Sequence, residues 1–264
     1  MDAIRNYYDT NAAREWERLE RHRMEYALTQ RTLQTYLPIS PARILDIGGG
    51  PGRYAIELAR QGHHVTLLDM AAGNLSLARE RAASAGVEIA DYWQGNAMQL
   101  DRAEDSRFDA VLLLGPLYHL QEAHERDAAL NEANRVLRPG GILFAAIITR
   151  YAPILDSARR NPSALLENAD AIAELLATGR FDGSPRFTHA YGMAVAEFAP
   201  LMAAHGFQQH LLLSCEGITG MAEEQVDTLA GANWDAWVDL NYQLGQDPSV
   251  FGTAFHLLYV GSRH

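Results

Sequence analysis

The feature that most constrains this chain is a rhythm between residues 43 and 149. Short apolar runs alternate there with helical stretches. Arg43–Ile47, His64–Asp69, 89–94, 108–114 and 142–149 read as strands, with helices at 54–60, 74–85 and 124–137. Near-continuous apolar strands separated by helices predict a parallel sheet covered on both faces. Residues 2–36 read as helix, with Tyr8, Ala12, Trp16 and Leu19 on one stripe, and Pro38 and Pro41 break the chain after it. After residue 149 the alternation stops. Residues 150–206 are Ala- and Leu-rich and helical, interrupted at 179–185. A strand at 208–215, a helix at 216–245 and a strand at 253–261 follow, which suggests a hairpin-like edge added to the sheet.

Composition narrows the class. With 264 residues, 48% of them hydrophobic, the chain can close one sizeable core and carry an appended cap. That content excludes a disordered protein. The apolar runs fall short of the roughly 20 residues that span a bilayer. Asp2, Asp9, Glu15 and Glu17 crowd the start, unlike a secretory signal or a transit peptide, so a cytoplasmic protein away from membranes is expected. The net charge is -11 and no basic stripe is visible, which disfavours nucleic acid as a partner. A single cysteine, Cys215, excludes an internal disulfide and fits a reducing compartment. All 22 basic residues are arginines, which removes the pyridoxal-phosphate Schiff base and the P-loop lysine.

The turn Asp46-Ile47-Gly48-Gly49-Gly50-Pro51-Gly52 lies between a strand and a helix. Such a turn lets backbone approach a ligand closely and aims helix N–H groups at it. Asp69 ends the next strand, where a carboxylate can accept from two ribose hydroxyls. A dinucleotide fold wants G-x-G-x-x-G, and here Arg53 fills the third place and obstructs close helix–strand packing. The pattern D-x-G-x-G-x-G is matched in full by Asp46, Gly48, Gly50 and Gly52. It suits S-adenosylmethionine (SAM), which has no pyrophosphate and whose amino acid part needs a carboxylate and open backbone.

With Val65–Asp69 as 65–69, FDAVLLLGPLYHL at 108–120 and RVLRPGGIL at 135–143, this turn makes the chain resemble the class I SAM-dependent methyltransferases that act on small molecules. Tyr7-Tyr8-Asp9 with Glu15-Trp16 is similar to the lid helix of that group. The resemblance implies a doubly wound, Rossmann-like α/β fold: a mostly parallel seven-stranded sheet with an antiparallel last strand, plus a helical cap. It implies lid helices at 1–40, a SAM-binding core at 41–149, a substrate cap at 150–206 and the rest of the sheet at 207–264. It also implies roles. Gly48, Gly50 and Gly52 line the methionine part, and Asp46 reaches its amino group. Asp69 holds the ribose and Met70 lies against adenine. Asn96 and Ala97 sit at the adenine edge, and Leu114 and Gly115 place backbone near the sulfonium. Many relatives carry Asp where this chain has Asn96, whose amide oxygen still accepts from an amino group.

Methyl transfer is an in-line displacement that alignment and desolvation can drive, and a base helps when the acceptor is a hydroxyl or ammonium. His119 follows the fourth strand, where such sheets border their ligand crevice, and is the candidate base; a structural role is the alternative. Tyr118 can offer a ring face to a cation or simply pack. Gly115 stands where amino-group methyltransferases carry Asn or Asp before Pro-Pro-Tyr, which argues against nucleobase N-methylation. His119 and His124 are spaced wrongly for a helical ligand pair, so no metal is expected. His63 and His64 read as solvated and Cys215 as core. For the acceptor, Tyr7, Tyr8 and Arg21 on the first helix and Arg150, Tyr151, Arg186, Phe187, His189 and Tyr191 in the insert are candidates, with His189 a second base. Trp234 and Trp237 fit a cap or a dimer core. The expected protein uses SAM, releases S-adenosylhomocysteine and is a monomer or homodimer. Three other outcomes stay open: cyclisation of SAM with release of methylthioadenosine, a non-catalytic SAM-binding partner, and an NAD(P)-dependent oxidoreductase.

Overall fold

The computed structural model describes residues 2–181 and 189–264; Arg186 and Phe187 lie outside the described residues. Two helices, α1 (Asp2–Arg21) and α2 (Arg23–Tyr36), precede the sheet. The core then runs β1 (Arg43–Ile47), α3 (Arg53–Arg60), β2 (His64–Asp69), α4 (Ala72–Ser84), β3 (Asp91–Gln94), β4 (Phe108–Leu113), α5 (Ala123–Val136) and β5 (Leu137–Ile148). Next come α6 (Ala152–Arg160), α7 (Ala169–Thr178), the short pair β6 (Arg180–Phe181) and β7 (Ala190–Tyr191), and α8 (Val195–Ala204). The chain closes with β8 (Phe207–Ser214), α9 (Glu223–Val226), α10 (Gly231–Leu244), α11 (Pro248–Phe251) and β9 (His256–Arg263).

Seven strands form one sheet in the order β3-β2-β1-β4-β5-β9-β8. The first five pair in parallel, as the alternation predicts. β9 inserts antiparallel between β5 and β8, with Ile142 opposite Ser262 and Ile148 opposite His256. The last strand is thus antiparallel, and the expected edge is real, although α9 to α11 separate its two strands. Strand order reverses between β1 and β4, and a ligand crevice belongs outside the carboxyl ends at such a point.

Side chains alternate between the two faces. Leu45, Ile47, Val111 and Leu113 join α5 and α8 in one core cluster. Ile44, Leu67, Ala110 and Leu112 join α2, α3 and α4 in the other, against which Trp234 and Trp237 of α10 pack. Both tryptophans are partly buried there, on a helix that packs against α2. Arg23 lays its guanidinium 4.1 Å from the Trp234 ring centre.

Where the chain departs from expectation, tertiary docking or a glycine is the cause. The single helix expected at 2–36 breaks at His22, whose ψ of 73° is non-helical. The break lets α1 lie on α4 while α2 packs on α10 and β9. The helix expected at 216–245 is three pieces: a 3-10 helix over Gly217–Ala222, then α9, then α10, which restarts at Gly231 with positive φ. β5 starts five residues early, at Leu137, and a register shift against β4 takes up the extra Pro-Gly-Gly segment. The insert between β5 and β8 is not wholly helical, since β6 and β7 pair within it. No helix among the described residues is long and apolar enough to cross a membrane.

Candidate functional site

The β1–α3 turn is built by backbone that only glycine adopts readily. Gly48 and Gly52 have φ of 67° and 85°. A Cβ on Gly48 would lie 2.7 Å from Pro116 of the loop after β4, so glycine here lets the two loops approach. The Gly48 N–H donates to the Leu68 carbonyl at 2.7 Å, tying the turn to β2. Gly52 opens α3 and meets Ala78 of α4. Arg53 does not crowd this packing, because its guanidinium lies outward, 3.8 Å from the Tyr26 ring centre.

Two carboxylates sit beneath the turn. Asp69 ends β2 and accepts from the Gly50 N–H and the Ala71 N–H, each at 2.8 Å, and from the Asn74 amide at 3.3 Å. Burial pushes its carboxyl up, and those three donors oppose the shift. Asp46 is 1% exposed, and its Oδ2 has no hydrogen-bond partner among the described residues. Burial, and then the Asp69 charge, push Asp46 up to about 7. The Asn74 Oδ1 is likewise buried and without a partner. Buried polar atoms of this kind cost free energy unless a ligand meets them. An anionic dinucleotide phosphate would add negative charge beside two carboxylates, whereas a cationic ligand relieves them.

Asp69 and Asn74 border a cavity, partly open to solvent, at the carboxyl ends of β1, β2 and β4. Gly48, Gly50, Asp69, Met70, Asn96, Ala97 and Gly115 line it, with Tyr118 and His119 at its far side. Asp46, Gly52 and Leu114 stand behind this lining: Asp46 against Gly49, Gly52 against Ala78, and Leu114 on a core cluster. The Asn96 Oδ1 accepts from the Met98 N–H at 3.0 Å. Glu15 of the lid helix also lines the cavity, as do Asn74, Ile4 and Pro116, to which the sequence assigned no ligand role. Asn74 had a weak signal, since an amide early in the helix after an acidic strand end can reach back to it.

The lid helix closes one side. The Gly73 N–H donates to Asp9 at 3.0 Å, and a Cβ on Gly73 would come within 2.6 Å of the Asp9 carbonyl oxygen. Tyr8 enters the cavity with its hydroxyl 2.8 Å from His119 Nε2, and Tyr7 packs edge-on against Tyr8 at 5.2 Å. His119 Nδ1 lies 3.3 Å from the His189 carbonyl oxygen. A carbonyl only accepts, so Nδ1 carries hydrogen, and in the neutral ring Nε2 accepts from Tyr8. His189 thus contributes backbone here, and its residue is exposed.

Arg150 and Tyr191 do not line the cavity. Both reach Glu197, at 3.2 Å each, and Arg126 stacks 3.7 Å above the Tyr191 ring centre. Arg126 also donates to the carbonyls of Leu120 and Gln121. The insert therefore braces the loop that carries Tyr118 and His119. Cys215 is buried, as expected, but His63 is buried too and accepts from the Ala42 N–H.

Residues 44–141 match the family model described as a methyltransferase domain. A ubiquinone biosynthesis O-methyltransferase of Azorhizobium caulinodans is 31% identical over 223 residues, covering 83% of this chain and 74% of that one. A second protein of that name, from Maricaulis maris, is 39% identical, but the match spans only 43% of either chain. Among solved structures, a SAM-dependent methyltransferase of Methanosarcina mazei superposes with a TM-score of 0.61 at 20% identity, covering 88% of this chain and 96% of that one.

Proposed function

The chain belongs to the class I SAM-dependent methyltransferases, and from that premise we propose that its cavity binds SAM and passes the methyl group to a hydroxyl oxygen of a small molecule. The observation that carries the reading is the pairing of Asp69 and Asp46 beneath an open glycine turn at the strand-order reversal. SAM supplies an electrophilic methyl group on a cationic sulfur.

The protein's own groups divide the work. Asp69 keeps acceptor capacity for ribose hydroxyls while the Gly50 and Ala71 N–H groups hold it in place. Asp46, with Asn74, offers buried acceptors to an ammonium. Met70, Asn96 and Ala97 flank the adenine end, and Gly115 leaves room at the reacting end. Tyr118 presents an aromatic ring there, suited to positive charge.

The hydroxyl reading draws on two supports: the printed names of the relatives, which are O-methyltransferases, and the Tyr8–His119 pair. A hydroxyl acceptor must lose its proton. Tyr8 takes that proton on its oxygen as its own passes to His119 Nε2, while the His189 carbonyl holds the ring's orientation. Closure of α1 brings Tyr8 to this position and excludes water.

The test is turnover of isotopically labelled SAM with a panel of small phenols, enols and amines. The account expects label on oxygen, and Y8F and H119Q to lower kcat about 100-fold with little change in adenosylhomocysteine binding. Label on nitrogen, or methylthioadenosine formed without any acceptor, contradicts it.

A further inference from the structure

The insert grips α5 at two places one helical turn apart. Arg180 of β6 and Tyr191 of β7 lie opposite each other in the short strand pair. The Arg180 guanidinium donates to the Glu122 carboxylate at the start of α5, at 2.5 Å, and the Arg126 guanidinium stacks on the Tyr191 ring, 3.7 Å from its centre. Residues four apart share a helix face, so the strand pair lies along the first turns of α5. Tyr191 is fixed from two other sides. Its hydroxyl donates to Glu197 of α8 at 3.2 Å, and a Cβ on Gly179, just after α7, would come within 2.8 Å of its ring.

Arg126 is 7% exposed, and its buried charge is met by two carbonyls as well as the ring. Its Nη1 donates to the Leu120 carbonyl at 2.6 Å and to the Gln121 carbonyl at 3.0 Å. These are the two residues that follow His119. Hydrogen bonds from a charged donor are roughly twice as strong as neutral ones, so this is the firm point of the loop. Three ties then run in step between loop and strand. His119 Nδ1 lies 3.3 Å from the His189 carbonyl oxygen, Gln121 Nε2 donates to the Ala190 carbonyl at 3.2 Å, and Arg126 holds Tyr191. The first of these is long for a hydrogen bond and depends on the other two to keep the carbonyl in place. Without that carbonyl the His119 ring is free to carry its hydrogen on Nε2, where it no longer accepts from Tyr8.

We propose that Arg126 is a positioning residue for His119: by clamping the Tyr191 ring to the Leu120 and Gln121 carbonyls, it makes the seating of the β6–β7 pair set the orientation and tautomer in which His119 accepts from Tyr8. The inference rests on the methyl-transfer reading for the role of His119 and adds that the insert governs that role from outside the cavity.

The test is NMR of the ligand-free full chain with isotopically labelled histidine, the His119 ring being assigned with H119Q. The wild type is expected to carry the His119 hydrogen on Nδ1. R126M fills similar space without donors, and Y191L removes the ring. Both are expected to move that hydrogen to Nε2 or to an average of the two nitrogens, and to lower kcat about tenfold with KM for SAM and adenosylhomocysteine affinity unchanged. Y191F keeps the ring and is expected to keep the wild-type signature. Should R126M fail to fold, Y191L, on a half-buried residue, carries the test. A wild-type His119 with its hydrogen on Nε2 overturns the inference, as does an unaltered signature in Y191L, or an altered one with unaltered kcat. The tautomer is read without ligand or turnover, so a wild-type chain that transfers no methyl group strikes the methyl-transfer reading instead.

Discussion

Asp69 and Asp46 lie beneath the same glycine turn, yet their surroundings differ. Asp69 is held by three donors and so stays aimed at the cavity. On the proposed role of Asp69 as the ribose acceptor, D69A should weaken adenosylhomocysteine binding about 100-fold by calorimetry. Asp46 is the pH-sensitive member. Its carboxyl is pushed up to about 7 in the free protein, so ionising it costs stability as pH rises from the unfolded value towards 7. A ligand ammonium favours the ionised form and lowers that pKa. Binding then releases a proton, and affinity should rise from about pH 6 to about pH 7 and level off above it. D46N should flatten that rise. An unchanged slope in D46N would assign the titration to another group.

The elements explain why some of this was legible in sequence and some was not. The β1–α3 turn and the apolar strands are local patterns: a glycine at φ of 85° and a period of alternating strand and helix both write themselves into neighbouring residues. G52A forces a left-handed backbone on Ala and presses its Cβ within 3.1 Å of Ala78, so it should cost about 1–2 kcal/mol in chemical denaturation. The break at His22 has no such local signature, since both flanking segments are good helix formers and the cause is docking of α1 on α4. Gly73 permits that docking. In G73A, better helix propensity favours α4 while the new Cβ meets the Asp9 backbone. Adenosylhomocysteine should therefore dissociate about tenfold faster with no comparable loss of melting temperature, measured by stopped flow and calorimetry. Arg150 and Tyr191 show the opposite limit. Their chemistry suits a ligand, but Glu197 lies near enough in space to take both, and residue type does not reveal that.

At the scale of the molecule, segments after β5 complete the sheet and tie its carboxyl-end loops together. The insert braces the His119 loop through Arg126 and Tyr191, and α10 caps the α2 face. Another tie spans three segments: His22, Arg159 and Glu223 join α2, α6 and α9. Burial would push Glu223 up, but His22 and Arg159 hold it down at about 2. A depressed carboxyl stabilises the fold above its unfolded pKa, and that contribution is lost as pH falls from about 4 to about 2. Melting temperature should drop across that window in the wild type and less steeply in E223Q, which starts lower at neutral pH. Contacts like these join residues far apart in the chain and so escape any reading of spacing. The account's central claim, that the glycine turn over Asp46 and Asp69 embraces a cationic adenosyl ligand, is tested most directly by titrating the chain in parallel with adenosylhomocysteine and NAD. Micromolar binding of the first, lost in D69A, with no heat from the second, is the predicted result; NAD binding that D69A weakens, with adenosylhomocysteine silent, would contradict it.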